Sequence, residues 1–339
     1  MPTSRSNRPN VVITIGDPAG VGPEVTVKAL ASPRISRLAN FLVIGDALVI
    51  KRVEKLTGLK LKHSLIDLAN VPVKKFAYGR PNPLFGKASI EYIDKALELL
   101  KAKRADALVT APVNKASINS SFKRRTTDDG RRTTIFEGHT EYLAQHTRTK
   151  DFAMMFVAKR MKIVLVTRHI ALKDVPRSIS KEAIYRAISL AHKNLKEYFG
   201  IENPKIGVAG LNPHAGESGL FGDEEDSVII PAIRKASRRM DGVSGPVPPD
   251  VIFSQVLSER FDAAVALYHD QALIPFKLLY FKDGVNMTLG LPFIRTSPDH
   301  GTAFDIAGKG VADPTSMIEA IKLACRLAQK KIICSTEIS

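Results

Sequence analysis

The chain has 339 residues, 44% hydrophobic and 25% charged, enough apolar mass for one large or two modest domains and unlike a disordered or low-complexity composition. Its longest apolar runs reach only about half a dozen residues, against the roughly 20 that a membrane helix needs, so no membrane span is expected. Lys and Arg number 50 against 34 Asp and Glu, a formal charge of +16, which suits anionic partners; yet aromatics are 6% and Trp is absent, so basic grooves with stacking aromatics, and hence nucleic acid, are disfavoured.

Residues 1–10 are polar and basic with no apolar signal core, and are expected to be a short flexible leader on a cytoplasmic protein. Short apolar, unalternating runs then recur at 11–15, 41–44, 107–109, 153–157, 163–166, 206–209 and 263–267, the pattern of parallel strands buried on both faces. Helical stripes lie between several of them. Ile93, Ala96, Leu97 and Leu100 share one face of 88–103, and Ile184, Ala187, Ile188, Ala191 and Leu195 one face of 180–199. Pro314 opens a last helix to about residue 330. The two cysteines, Cys325 and Cys334, are too few and too close for a disulfide framework and are expected to be reduced.

The alternation predicts an α/β protein of mostly parallel sheets, folded as two lobes with a cleft between them. The basic stretch KRRTTDDGRR at 123–132 reads as an exposed loop or hairpin tip, and the insertion around 121–135 marks a lobe boundary.

Three histidines follow predicted buried strands: His169 ends KIVLVTRH, His214 follows IGVAGLNPH, and His269 follows AAVALYH. Ligands of parallel α/β sheets gather just beyond the carboxyl ends of the strands, so three imidazoles can meet at one site. Neutral imidazoles with an open position suit a divalent metal such as zinc; hydrogen-bonded structural histidines are the other reading. A second group is cationic and polar. Lys277, Asn286 and Arg295 flank a glycine-bearing segment read as a tight loop or strand return, and suit a phosphate or carboxylate; separate surface charges are the alternative. His139 and Thr140 stand at a predicted helix start, where backbone N–H groups favour anions.

GDPAGVGPE, residues 16–24, follows the first strand but has neither GxGxxG nor GK[ST], so it is no Rossmann or phosphate-loop fingerprint, and no cofactor-binding residue is assigned. In NPHAGESGLFGDEE, residues 212–225, Asp223–Glu225 is expected to be an acidic helix start, leaving His214 as the one ligand candidate.

Taken in order, GDPAGVGPE, APVNK, GHTE, TRHIALKDV, GLNPHAGE, ALYHDQ and GVNMTLGLPFIRTSPDHGTAFDIA closely resemble the 4-hydroxythreonine-4-phosphate dehydrogenases of vitamin B6 biosynthesis, from about residue 11 to residue 325. The resemblance implies two α/β/α lobes of the isocitrate and isopropylmalate dehydrogenase type, with 11–135 plus 300–339 in the first and 136–299, carrying the metal site and dimer interface, in the second. It implies NAD, or NADP, as hydride acceptor, one divalent metal per site (zinc, with magnesium or cobalt as alternatives), and an obligate homodimer with the active site at its interface. His169, His214 and His269 map onto the metal ligands, His269 reaching into the partner subunit's site. His139, Thr140, Lys277, Asn286 and Arg295 map onto contacts to a phosphorylated small-molecule substrate, with Asp250 and Asp270 as further polar groups; Asp250, Asp270 and Lys277 are the candidates for catalysis.

The implied reaction is oxidation of the C3 hydroxyl of 4-phosphohydroxy-L-threonine, then loss of carbon dioxide to give 3-amino-2-oxopropyl phosphate. A related branch with the same motifs oxidises D-threonate or D-erythronate 4-phosphate, and the metal-and-phosphate constellation serves either substrate. The chain departs from the family where SSFKRRTTDDGRRTTIFE replaces a short connection ahead of His139.

Overall fold

The computed structural model describes residues 8–72, 74, 76–122 and 135–336, with side chains to 333. The basic stretch 123–132 and Cys334's side chain lie outside the described residues.

In chain order the first half gives strand β1 (Asn10–Thr14), helices α1 (Gly22–Ala31) and α2 (Pro33–Ser36), β2 (Asn40–Gly45), α3 (Ala47–Thr57), β3 (Ser64–Asp67), α4 (Pro83–Lys101), β4 (Ala107–Thr110), α5 (Lys115–Ser121) and α6 (His139–His146). Next come β5 (Ala153–Ala158), β6 (Met161–Leu165), α7 (Val175–Ser178), α8 (Lys181–Asn194), β7 (Ile206–Ala209), α9 (Ile230–Ser237), β8 (Val243–Val247), α10 (Ile252–Leu257), β9 (Ala263–Ala266), α11 (His269–Tyr280), β10 (Val285–Leu289), β11 (Ile294–Pro298) and α12 (Thr315–Thr336). Helix starts follow local chemistry. Asp46 accepts from the N–H groups of Leu48 and Val49 at the head of α3, and Asn114 accepts from Ser117 at the head of α5. Asn82 caps α4 and Pro83 occupies its first turn, so this helix begins ahead of its apolar stripe.

The chain forms two compact units, Met1–Arg148 with Pro292–Ser339, and Thr149–Leu291. The changeovers are at 148/149 and 291/292, where the sequence reading had 135/136 and 299/300. In the first unit the strand order is β3-β2-β1-β4-β11, every pairing parallel. All four residues of β4 are buried, and α12 packs on β11, β4 and α1. Arg295 enters this unit because β11 pairs with β4, Arg295 beside Leu108.

The second unit has the order β10-β5-β6-β9-β7-β8. β6, β9, β7 and β8 are parallel. Pairing is thus mostly parallel, as expected, but β10/β5 and β5/β6 are antiparallel, so the run 153–157 is not the parallel strand expected of it. Ala158 pairs with Met161, leaving Lys159 and Arg160 as a two-residue turn with Lys159 at φ 47°; such turns require positive φ, and without the usual Asn-Gly signal the hairpin is silent in the sequence. The segment read as a tight loop is β10 and β11, separated by a turn at Gly290, whose φ of +90° and contact with the Asp151 carbonyl leave no room for a Cβ. The core of this unit includes Phe156, Ile163, Leu165, Ile252, Phe253 and Phe276.

Candidate active site

In the first unit, the carboxyl end of β4, the start of β11 and the start of α6 build one polar corner. Arg295 is 3% exposed and its Nη2 donates to Oγ1 of Thr110 at 2.7 Å. Burial pulls the guanidinium pKa down to about 10, and the nearby Glu141 carboxylate works in the opposite direction. His139 and the buried Thr140 open α6, whose preceding residue, Gly138, offers no side-chain cap. Nε2 of His139 is buried with no hydrogen-bond partner among the described residues. Burial, then the charges of Arg295 and Lys115, hold the imidazole pKa well below its ordinary value. A neutral imidazole, a desolvated guanidinium and the N–H groups of a helix start favour an anion over any other ligand.

The sequence picks out His139, Thr140 and Arg295 here and passes over Thr110 and Lys115. Thr110 sits at a strand's carboxyl end, the same signal that marks the histidines. A Cβ on Gly138 would meet Lys115 Nζ at 3.9 Å, so APVNK brings its lysine to the start of α6.

Two hydrogen-bonded backbone features hold His139. Asn119 donates from Nδ2 to the Phe136 carbonyl at 3.1 Å and accepts at Oδ1 from the Phe136 N–H at 2.7 Å. The Phe136 ring then lies edge-on to His139, centroids 6.1 Å apart.

The GDPAGVG segment beside this corner has four of its backbone donors taken up. The N–H of Asp17 donates to the Pro112 carbonyl, that of Ala19 to Oδ1 of Asp17, that of Gly20 to the Asp17 carbonyl, and that of Val21 to the Thr302 carbonyl. With these donors used internally, the segment does not fit the open phosphate cradle of a Rossmann dinucleotide site. Burial raises the Asp17 carboxyl pKa to about 6, although the Ala19 N–H and Ser117 hydroxyl pull it the other way.

In the second unit, β6, β9 and β7 are neighbours running the same way, and each is followed by one of the three histidines: His169 beyond β6, His269 beyond β9 and His214 beyond β7. The rings of His169 and His269 lie 5.5 Å apart. Nδ1 of His269 is 2.7 Å from Oδ1 of Asp270, so Nε2 is the nitrogen that a metal would meet. His214 stands exposed, its Nδ1 3.7 Å from Glu217 Oε2. Among the described residues no group of three His, Cys, Asp or Glu side chains could hold a metal ion. The donor chemistry thus fits a divalent metal, while one chain brings two of the three imidazoles together.

His214 lies in a run of positive φ through His214, Ala215, Gly216, Glu217, Ser218 and Gly219, four of them with a Cβ, a strained backbone of the kind kept at functional sites. Glu225 stands at the acidic helix start expected there, in the helical turn Glu225–Ile229 ahead of α9, and its side chain turns inward. It is buried, its Oε1 accepts from the N–H groups of Leu211 and Asn212 at 2.8 Å each, and its Oε2 accepts from Asn212 Nδ2.

Of the remaining candidates, Lys277 lies on α11 with its Nζ 5.7 Å from the Phe281 ring centre. Asn286 lies on β10, opposite Phe156, with Oδ1 buried and unpartnered among the described residues. Asp250 is exposed in the turn before α10.

The model of the family described as pyridoxal phosphate biosynthetic protein PdxA matches residues 31–324. The chain is 43% identical over 334 residues to the 4-hydroxythreonine-4-phosphate dehydrogenase of Desulforapulum autotrophicum, covering 94% of this chain and 95% of the relative. It is 40% identical over 340 residues to the D-threonate 4-phosphate dehydrogenase of Cupriavidus necator, covering 95% and 98%. Among solved structures it is similar to the 4-hydroxythreonine-4-phosphate dehydrogenase of Klebsiella pneumoniae, with a TM-score of 0.83, 36% identity, and 94% and 99% of the two chains covered. By these matches the chain belongs to the pyridoxal phosphate biosynthetic protein PdxA family.

Proposed function

We propose that the protein oxidises 4-phosphohydroxy-L-threonine at C3 with NAD, NADP being the alternative, and that carbon dioxide is then lost to give 3-amino-2-oxopropyl phosphate. The observation that carries the anionic substrate class is the buried Arg295 with the unpartnered Nε2 of His139 at the start of α6. The names of the Desulforapulum and Klebsiella proteins support the particular substrate. In this reading His139, Thr140 and Arg295 bind anionic oxygens, and Lys277 and Asn286 add further substrate contacts.

His169, His214 and His269 are the residues that would hold a divalent ion, zinc by preference and magnesium or cobalt otherwise. When bound, such an ion supplies Lewis-acid polarisation of the C3 oxygen and of the ketone formed from it. Asp270 orients His269 through Nδ1. Asp250 is the group left to accept the hydroxyl proton, with Lys277 as the cation that balances developing negative charge.

A homodimer with His269 serving the partner's site belongs to the same proposal. It is supported by α11, which begins at His269 and, with Phe281 just after its end, exposes Ile274 (69%), Leu278 (84%) and Phe281 (74%) at helical spacing on one face. Among the described residues no helix is long and apolar enough to cross a membrane, and we place the protein in the cytoplasm.

The test is NADH formation with 4-phosphohydroxy-L-threonine beside D-threonate and D-erythronate 4-phosphates, with chelator and metal add-back. Metal-restored turnover of the amino acid is expected. Preference for a sugar acid, the reading favoured by the Cupriavidus relative, moves the protein to that branch, and turnover of none of them rejects both. Leu278→Glu is expected to yield monomers in sedimentation.

A further inference from the structure

We infer that Thr167 and Gln271 are positioning residues that fix the spacing of the three histidine-bearing strand ends; this rests on the three-histidine reading above. The parallel ladders hold β6 to β9 as far as Leu165 beside Ala266, and β7 to β9 as far as Val208 beside Val265. Beyond those rungs each chain continues towards its histidine, and the ladder gives way to single links, the last backbone one from the β6 end being Thr167 N–H to the Leu267 carbonyl.

Leu267, two residues before His269, is the hub of what replaces it. Its carbonyl accepts from the N–H of Thr167 at 3.1 Å and from Oγ1 of Thr167 at 2.6 Å. Its N–H donates to Oε1 of Gln271 at 2.7 Å, and Nε2 of Gln271 donates to the Gly210 carbonyl at 2.8 Å. One chain of hydrogen bonds therefore runs from the strand end leading to His169, across the one leading to His269, to the one leading to His214.

The residue types suit the task. The threonine hydroxyl reaches the carbonyl already taken by its own N–H and doubles that link. The glutamine amide carries a donor and an acceptor in one planar group, which is what bridging an N–H on one strand to a C=O on the next requires. Both side chains are buried, where such bonds are firm and an unpaired partner is costly. Groups one step out from metal ligands commonly set affinity by 10–100-fold.

The test titrates zinc alone into the full-length protein against a chromophoric chelator, with metal-free melting temperatures measured on the same samples. Thr167→Val, which keeps the backbone bond and the side-chain shape, and Gln271→Met are each expected to weaken zinc binding about 10–100-fold at unchanged stoichiometry. Thr167→Ser, which restores the hydroxyl, is expected to bind as the wild type does. Variants that melt lower yet bind zinc with wild-type affinity overturn the inference, since the side chains then only fasten the fold. A wild-type protein that takes up no zinc rejects the three-histidine reading itself, and the positioning role with it. If Gln271→Met fails to fold, the Thr167→Val and Thr167→Ser pair decides.

Discussion

Arg295 and Nε2 of His139 in the first unit are shut away from water, whereas His169 and His214 in the second stand exposed and the His269 side chain is 38% exposed. The difference follows from charge. An isolated guanidinium is expensive to desolvate, so it persists in a buried corner only where Thr110 and Glu141 support it and an anion is to be bound. Histidines that are to take up an ion must stand open to it. Their cost is paid in backbone, as the positive-φ run around His214 and the buried Glu225 that ties down its start.

The largest expected effect comes from the exposed set. His169→Ala, His214→Ala and His269→Ala should each lower kcat by about 10³-fold or more and reduce bound metal, because they remove charge stabilisation at the reacting oxygen. Metal analysis beside steady-state kinetics checks this; full activity in any one of them removes that residue from the set. Arg295→Met should lower kcat/KM by about 10–100-fold, mostly through KM, the range of one charge-assisted hydrogen bond to an anion. Arg295→Lys should recover little, since an ammonium lacks the planar fork that also reaches Thr110. An effect confined to kcat would assign Arg295 to the chemical step and erase the contrast between the two regions.

Glu225→Gln comes next. Its amide nitrogen would face donors that now meet a carboxylate, with an expected loss of about 2 kcal/mol in stability and about tenfold in metal affinity, read by chemical unfolding and chelator competition. Unchanged affinity at lowered stability would separate the fold of this loop from the placement of His214.

That three histidines follow neighbouring strands was legible because the signal is local: a buried strand, then an imidazole within a few residues. The same holds for α4, α8 and α12, whose apolar stripes are continuous. β8 was not legible, because Ser244, Gly245 and Pro246 break the apolar pattern of a strand that lies at the edge of its sheet. Thr110, Thr167 and Gln271 were missed for a different reason. Their partners are far along the chain, at 185 residues from Thr110 to Arg295 and 61 from Gln271 to Gly210, and no spacing rule carries such pairs. The polar corner was seen only in pieces, since pairing of β11 with β4 is what brings Arg295 to Thr110.

The smallest effect expected is a cancellation within the first unit. Burial lowers the His139 pKa below its ordinary 6.5, so below pH 6.5 the unfolded chain takes up a proton that the folded one refuses, and stability falls with acidification. Asp17 has the opposite sign. Its pKa is raised from 3.8 to about 6, so its contribution is complete below pH 3.8 and is lost as pH rises through about 6; between these limits acidification stabilises the fold. Below pH 6 the two slopes oppose each other for as long as His139 stays neutral in the fold, and over that range the wild type should show little net dependence from this pair. His139→Gln should uncover rising melting temperature on acidification and Asp17→Asn, which keeps the oxygen that accepts from Ala19, falling temperature, each by about 2–4 °C per pH unit. Saturating phosphate ligand should weaken the His139 slope selectively, because a bound anion favours the imidazolium. Equal response of both slopes to phosphate would mean that the anion does not sit at His139, and the buried corner would lose its claim to the substrate.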